Sequence, residues 1–275
     1  MTKGAKNMYL SGYEFSGEGD GNYKDNTIKQ PINSLEKYIL YQNNQSINYN
    51  GKQVDLEGDG IFSRKILSTD ASNKIKLHGN SSDAKIFGVG FESETGIILD
   101  NFSFRGITGV ELKKLNDQFL NEISEKNPYD LIVFQYGVNM LFRPNDTDYS
   151  YYKQSFTPVL QNFKKAFPSS DFLVISCADR AFRYDGEYKS AIGIRNLIEI
   201  QAKMAFDNRM AFYNQFESMG GENSIVKWAE QTPSLAGKDF IHPNAKGTDI
   251  LAEHIFKAIL QDYSKLSSKK RNAND

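Results

Sequence analysis

The spacing of apolar and polar positions changes near Gly96. Before it the apolar runs are short: Tyr38-Ile39-Leu40-Tyr41, Ile61-Phe62, Lys65-Ile66-Leu67, Lys74-Ile75-Lys76-Leu77 and Ile86-Phe87-Gly88-Val89. Asn-Gly, Asp-Gly and Gly-Asn pairs separate them, which predicts tight turns and an antiparallel β module over residues 35–94. Residues 1–34 are rich in Gly, Asn and Asp and have little periodicity, which predicts an irregular, loop-like segment. After Gly96 the runs lengthen and alternate between two kinds. Gly96–Asn101, Asp130–Phe134, Phe172–Cys177 and 210–213 read as strands. Segments 109–124, 151–166, 190–207 and 245–262 carry apolar residues at helical spacing, such as Ile250, Leu251, Ile255, Phe256, Ile259 and Leu260 on the last. Alternating strands and helices predict a parallel sheet with helices on both faces over residues 95–264, followed by a polar tail at 265–275. The run Asp130-Leu131-Ile132-Val133-Phe134 is nearly all apolar, as in a strand covered on both sides.

In a parallel α/β sheet, ligands bind beyond the carboxyl ends of the strands. Three sequence features fall there. Asn101–Gly109 joins a strand to a helix, and Gly106 within it can offer a backbone N–H unobstructed by a Cβ. Asn139, in Gln135-Tyr136-Gly137-Val138-Asn139-Met140, can donate a side-chain hydrogen bond to a developing oxyanion. Asp239 and His242, three residues apart before the last helix, suit a histidine base held by a carboxylate. Arg105, Tyr136 and Arg143 lie beside these elements and are weaker candidates for substrate contact. His78 and His254 fall inside a strand and a helix and read as structural.

Taken together, Gly106, then Gly137-x-Asn139, then Asp239-Phe240-Ile241-His242-Pro243 ahead of a final helix resembles the SGNH (GDSL-type) hydrolase family. The run Lys238–Gly247 is especially close, and 216–224, the Trp228 segment and 235–237 resemble bacterial members with a β module inserted between the first and second blocks. The resemblance covers roughly 84–262 and more loosely 35–83. It implies a flavodoxin-like three-layer α/β/α fold preceded by a small β module that could bind carbohydrate. It also implies a periplasmic or secreted serine esterase that deacylates a carbohydrate or peptidoglycan. His242 would be the base, Asp239 its orienting acid, and Gly106 with Asn139 the oxyanion hole. The first block of the family, Gly-Asp-Ser, is missing: Gly58-Asp59-Gly60 has no serine, and Met8–Glu14 places Tyr13 and Glu14 where Asp and Ser belong. The nucleophile is thus unknown, with Ser11 and Ser16 as fallbacks and Ser103 a poor candidate. Either the protein extends upstream of Met1, the reading favoured here, or residues near 7–14 replace the missing strand, or the chain folds poorly alone; these residues alone are expected to be inactive. Met140 replaces an Asp common after the block-three asparagine.

Composition narrows the alternatives. The 275 residues carry a net charge of −1, which argues against a broad nucleic-acid footprint. No apolar run approaches a membrane span, and Met1-Thr2-Lys3-Gly4 lacks the apolar stretch of a signal peptide, as in a cytoplasmic protein, a mature form or a truncated chain. The single cysteine, Cys177, reads as a buried thiol. Three histidines without metal-ligand spacing predict no metal or other cofactor. With 13% aromatic residues and no Gly-Asp-Ser, the competing reading is a non-catalytic carbohydrate-binding protein with a relic site. Acyl group, alcohol and oligomeric state are left open by the sequence.

Overall fold

A computed structural model describes residues 2–3, 13–26, 28, 32–81, 85–102 and 106–272. The chain divides into two compact units. One comprises Met1–Arg105, Lys114–Asp130 and Asn162–Ser170; the other comprises Gly106–Lys113, Leu131–Gln161 and Asp171–Asp275.

The first unit is an antiparallel β structure. Its strands are β1 (Thr2–Lys3), β2 (Tyr13–Ser16), β3 (Gly19–Lys24), β4 (Leu35–Gln42), β5 (Gln45–Tyr49), β6 (Lys52–Leu56), β7 (Ser63–Asp70), β8 (Lys74–Gly79) and β9 (Lys85–Ser93). They form a five-stranded sheet in the order β1-β2-β9-β4-β7 and a four-stranded sheet in the order β3-β8-β5-β6. Ile39, Tyr41, Ile47, Tyr49, Leu56, Ile75, Leu77 and Ile86, contributed by both sheets, make one buried cluster. The Asn50-Gly51 pair forms the β5–β6 hairpin, with both residues at positive φ (50° and 83°), as a two-residue turn matched to strand twist requires. Helix α1 (Asp117–Lys126) adds Phe119, which packs edge-on to Phe62 and Phe87.

Several expectations change here. The N-terminal segment is not wholly irregular, since β2 and β3 pair with β9 and β8. Cross-strand pairing there overrides a polar, glycine-rich composition. Ile61-Phe62 precedes β7 and is not itself a strand, while β5 and β6, rich in Asn, Gln and Lys, were not anticipated. The expected helix over 109–124 is broken into a short 3-10 turn (Val110–Lys114) and α1, because Asn116 caps a new start by accepting from Gln118 N–H. The expected strand at Gly96–Asn101 is not formed: Ile97 is 94% exposed, and the run belongs to none of the described sheets. An apolar run becomes a strand only where a neighbour satisfies its N–H and C=O groups.

The second unit holds the parallel sheet: β10 (Leu131–Gln135), β11 (Asp171–Ile175) and β14 (Ala211–Tyr213), in the order β10-β11-β14. Helices α2 (Ser150–Ala166), α3 (Ile194–Asp207), α4 (Gln215–Ser218), α5 (Ser224–Glu230) and α6 (Ala245–Asn272) alternate with them. A hairpin, β12 (Ala181–Tyr184) with β13 (Glu187–Ser190), follows β11 and was not anticipated; the helix expected from about 190 starts just beyond it, at Ile194. The result is a mixed α/β fold with parallel and antiparallel sheets. β10 is not covered on both sides as expected: Phe134 is buried, but Leu131 and Val133 are 45% and 43% exposed. On α6, Phe256, Ile259 and Leu260 of the predicted stripe are exposed as well. Among the described residues, no helix is long and apolar enough to cross a membrane.

Candidate active site

The Asp239–His242 loop is held from below by a buried cluster of Ala181, Met219, Ile225, Trp228, Ala229, Ala236 and Phe240. Trp228 C=O accepts from both Leu235 and Ala236 N–H, and Gly237 N–H donates to His242 C=O at 2.9 Å, closing the loop on itself. Within it, Asp239 Oδ1 accepts from the backbone N–H of Ile241 (3.0 Å) and of His242 (3.1 Å), a side-chain turn typical of Asp. Oδ2 lies 2.6 Å from His242 Nδ1. An ionised carboxylate only accepts, so Nδ1 carries the proton and Nε2 is the basic nitrogen. The imidazole is 74% exposed, and its Nε2 has no hydrogen-bond partner among the described residues. Desolvation works to raise the Asp239 pKa, but the imidazole bond and the two backbone N–H groups outweigh it and hold the carboxyl below its ordinary value.

Asn139 lies in a short turn (Val138–Met140) directly after β10. Its Nδ2 donates to Ile107 C=O at 2.8 Å, which brings the Asn139 amide beside the turn that begins at Gly106. Gly106 is exposed with φ 82°, and a Cβ built there would meet nothing within 4 Å, so its surroundings are open. Thr108 fixes that turn by donating from its N–H and its hydroxyl to Glu111, and Tyr152 donates to Thr108 C=O. One Nδ2 hydrogen of Asn139 is therefore committed, and the amide has a second.

Two residues absent from the sequence reading tie the site together. Arg180, at the root of the β12–β13 hairpin, donates from Nη1 to Val138 C=O at 3.3 Å, and its pKa responds to the Asp239 charge. Burial lowers that pKa and Asp239 partly offsets the effect, leaving a guanidinium that stays protonated at neutral pH. Next to it, Ala181 N–H donates to Phe240 C=O at 3.0 Å. The Arg180 side chain thus bonds to the Val138–Met140 turn, while the N–H of the next residue bonds to the Asp239–His242 loop. Gln201, buried on α3, donates from Nε2 to Tyr136 C=O (2.8 Å) and accepts from Cys177 N–H at Oε1 (2.9 Å), clamping the ends of β10 and β11. It leaves no room at Gly137, which has φ 124° and whose Cβ would sit 2.7 Å from Gln201 Nε2. The only sequence cue was a Gln on an otherwise apolar helix face.

The remaining candidates are placed as follows. Tyr136 is half-buried against Phe156, and desolvation, with the nearby Glu111 charge, raises its phenol pKa. Arg143 is exposed, its guanidinium 5.1 Å from the centre of the Phe142 ring. Arg105, Ser11 and Ser103 lie outside the described residues, and Ser16 is exposed at the end of β2. Cys177 is buried, and desolvation pushes its thiol pKa up, which makes it inert as a nucleophile. His78 bonds to Asp20 on the neighbouring strand, and His254 bonds to Ser218. Among the described residues, no three His, Cys, Asp or Glu side chains are grouped to hold a metal ion.

Comparison with solved structures places this fold. A peptidoglycan O-acetylesterase structure aligns over 92% of this chain and 72% of its own, with a TM-score of 0.77 and 19% identity. A Bacillus subtilis protein (15% identity, 88% of this chain and 80% of that one) and a GDSL-like lipase from Bacteroides thetaiotaomicron (20%, 57% and 73%) reach TM-scores of 0.43 and 0.38, too low to carry weight. No protein-family model and no curated protein sequence matches. The chain shares the fold of that esterase structure.

Proposed function

We propose that this chain carries the site of a carboxylic ester hydrolase that removes O-acetyl or other acyl groups from a carbohydrate such as peptidoglycan. The observation that carries this reading is the Asp239 carboxylate on His242 Nδ1 at 2.6 Å, which leaves a basic, solvent-open Nε2. A serine hydroxyl attacks the ester carbonyl as Nε2 takes its proton. The Gly106 N–H and the second Asn139 Nδ2 hydrogen stabilise the tetrahedral oxyanion, a donor of this type contributing about 3–4 kcal/mol. Collapse expels the alcohol, which receives the proton from the imidazolium. Water then releases the acyl group by the same route. The fold shared with a peptidoglycan O-acetylesterase supports this reading, and a periplasmic or secreted location belongs to the same proposal.

The serine is outside these four residues, and the sequence has no Gly-Asp-Ser. A strand bearing one would pair beside β10, which among the described strands has β11 on one side only. The test is acetate release from O-acetylated peptidoglycan and from p-nitrophenyl acetate, with His242→Ala as control. The 275 residues alone are expected to turn over neither ester, and a Gly-Asp-Ser strand peptide added in trans to restore a rate that His242→Ala abolishes. Strong hydrolysis by the chain alone, lost in His242→Ala, would place the nucleophile at Ser11 or Ser16. Turnover indifferent to His242 would refute the site.

The missing Gly-Asp-Ser favours one second reading, a glycan-binding protein with a relic site. Calorimetric glycan binding with no hydrolysis under any of these conditions would select it.

A further inference from the structure

We propose that the β12–β13 hairpin is the glycan-docking arm of this site, with the exposed ring of Tyr188 as the platform on which a pyranose ring stacks. Tyr188 remains 43% exposed although its ring centre lies 4.0 Å from that of Phe240, at an interplanar angle of 29°. Phe240 is buried and sits between Asp239 and His242 in the chain, so the platform rests on the loop that carries the proposed base.

The hairpin is anchored at both ends. Ala181 N–H holds β12 to Phe240 C=O at 3.0 Å. On β13, Ser190 Oγ donates to the buried Asp179 at 2.7 Å, and Ser190 N–H donates to Asn223 Oδ1 at 2.8 Å. A ring fixed in this way loses little freedom on binding, which favours stacking. Directly across the hairpin Tyr188 faces the exposed Arg183 on the same side of the ribbon, while Glu187 and Lys189, on the other side, pair with each other at 2.9 Å. One aromatic ring bordered by charge suits a ligand with a small apolar face and polar edges, the description of a sugar ring. An acyl chain or a protein surface would need a wider apolar patch than this hairpin offers. Arg180 at the hairpin root supplies a cation where such a ligand would turn toward His242.

This inference rests on the ester-hydrolase reading for its substrate class, and it is tested without turnover. Tetra-N-acetylchitotetraose and xylotetraose are titrated into the 275-residue chain while the backbone amides of 187–189 and 240–242 are followed by NMR. Contacts from sugar ring protons to the Tyr188 ring are expected for at least one of the two. Tyr188→Phe should bind within about twofold of the original chain, and Tyr188→Ala about fivefold or more weakly. The wild-type proton contacts stand as direct evidence if Tyr188→Ala disturbs the hairpin. Binding by neither sugar, binding without Tyr188 contacts, or equal affinity in a folded Tyr188→Ala would overturn the proposal. Hydrolysis of ethyl acetate in the presence of the strand peptide, a substrate with no ring to stack, reports separately on the acyl site. Failure there with sugar stacking intact would count against the hydrolase reading and not against the platform.

Discussion

His242 Nδ1 and Asp239 Oδ2 lie 2.6 Å apart, and the same carboxylate receives the backbone N–H of Ile241 and of His242 through its other oxygen. One side chain therefore sets both the shape of the loop and the tautomer of the ring. In Asp239→Asn an amide nitrogen facing Nδ1 would move the ring proton to Nε2 and abolish its basicity. Nitrogen-15 NMR of the imidazole should show that exchange of protonated and bare nitrogens, and any His242-dependent ester turnover should fall by about four orders of magnitude, as in the serine protease template.

The depressed Asp239 pKa has a pH signature of fixed sign. The folded chain releases this proton more readily than the unfolded one, so the stabilisation is present above the ordinary carboxylate value, near about pH 4, and fades as pH falls through the folded value. A carbon-13 titration of the Asp239 carboxyl should show a midpoint below that of an Asp model peptide. A midpoint at or above it would mean that the imidazole and backbone bonds do not persist in solution.

Asp179 behaves in the opposite sense. Burial raises its pKa, although Ser190, Ser224 and the Ile225 N–H all bond to it. Asp179→Ala would strand those buried donors, costing about 2–4 kcal/mol, and would loosen the hairpin from α5. Urea denaturation should register the loss, with faster hydrogen exchange at Ala181–Ser190.

Gln201→Leu removes both clamps, on Tyr136 C=O and Cys177 N–H. Two buried backbone groups lose their partners, for a cost of about 2–4 kcal/mol by thermal unfolding. A melting temperature unchanged within a degree would show that water or a shifted backbone replaces the amide. Gly137→Ala should be comparably harmful, because its positive φ and the packed Gln201 leave no space for a methyl group.

The geometry of the candidate site was legible in the sequence where its parts are close along the chain. Asp239 reaches a residue three positions on, and the Gly137-x-Asn139 turn directly follows an apolar strand. Arg180 and Gln201 escaped because their partners Val138 and Tyr136 lie 42 and 65 residues away. The same reason explains Ile97-Ile98-Leu99, whose composition says strand but whose state depends on a neighbour that local periodicity does not reveal. The β12–β13 hairpin was missed because Phe182, Tyr184 and Tyr188 do not bury one face in alternation.

The Gln201 clamp makes the Asn139 end of the parallel sheet sensitive to packing on α3. A side chain one methylene shorter or longer on α3 would shift the end of β10 and re-aim the Asn139 amide with it. The geometry of the proposed site can thus drift through the interior of the chain, by changes invisible from solvent, while Asp239 and His242 stay as they are.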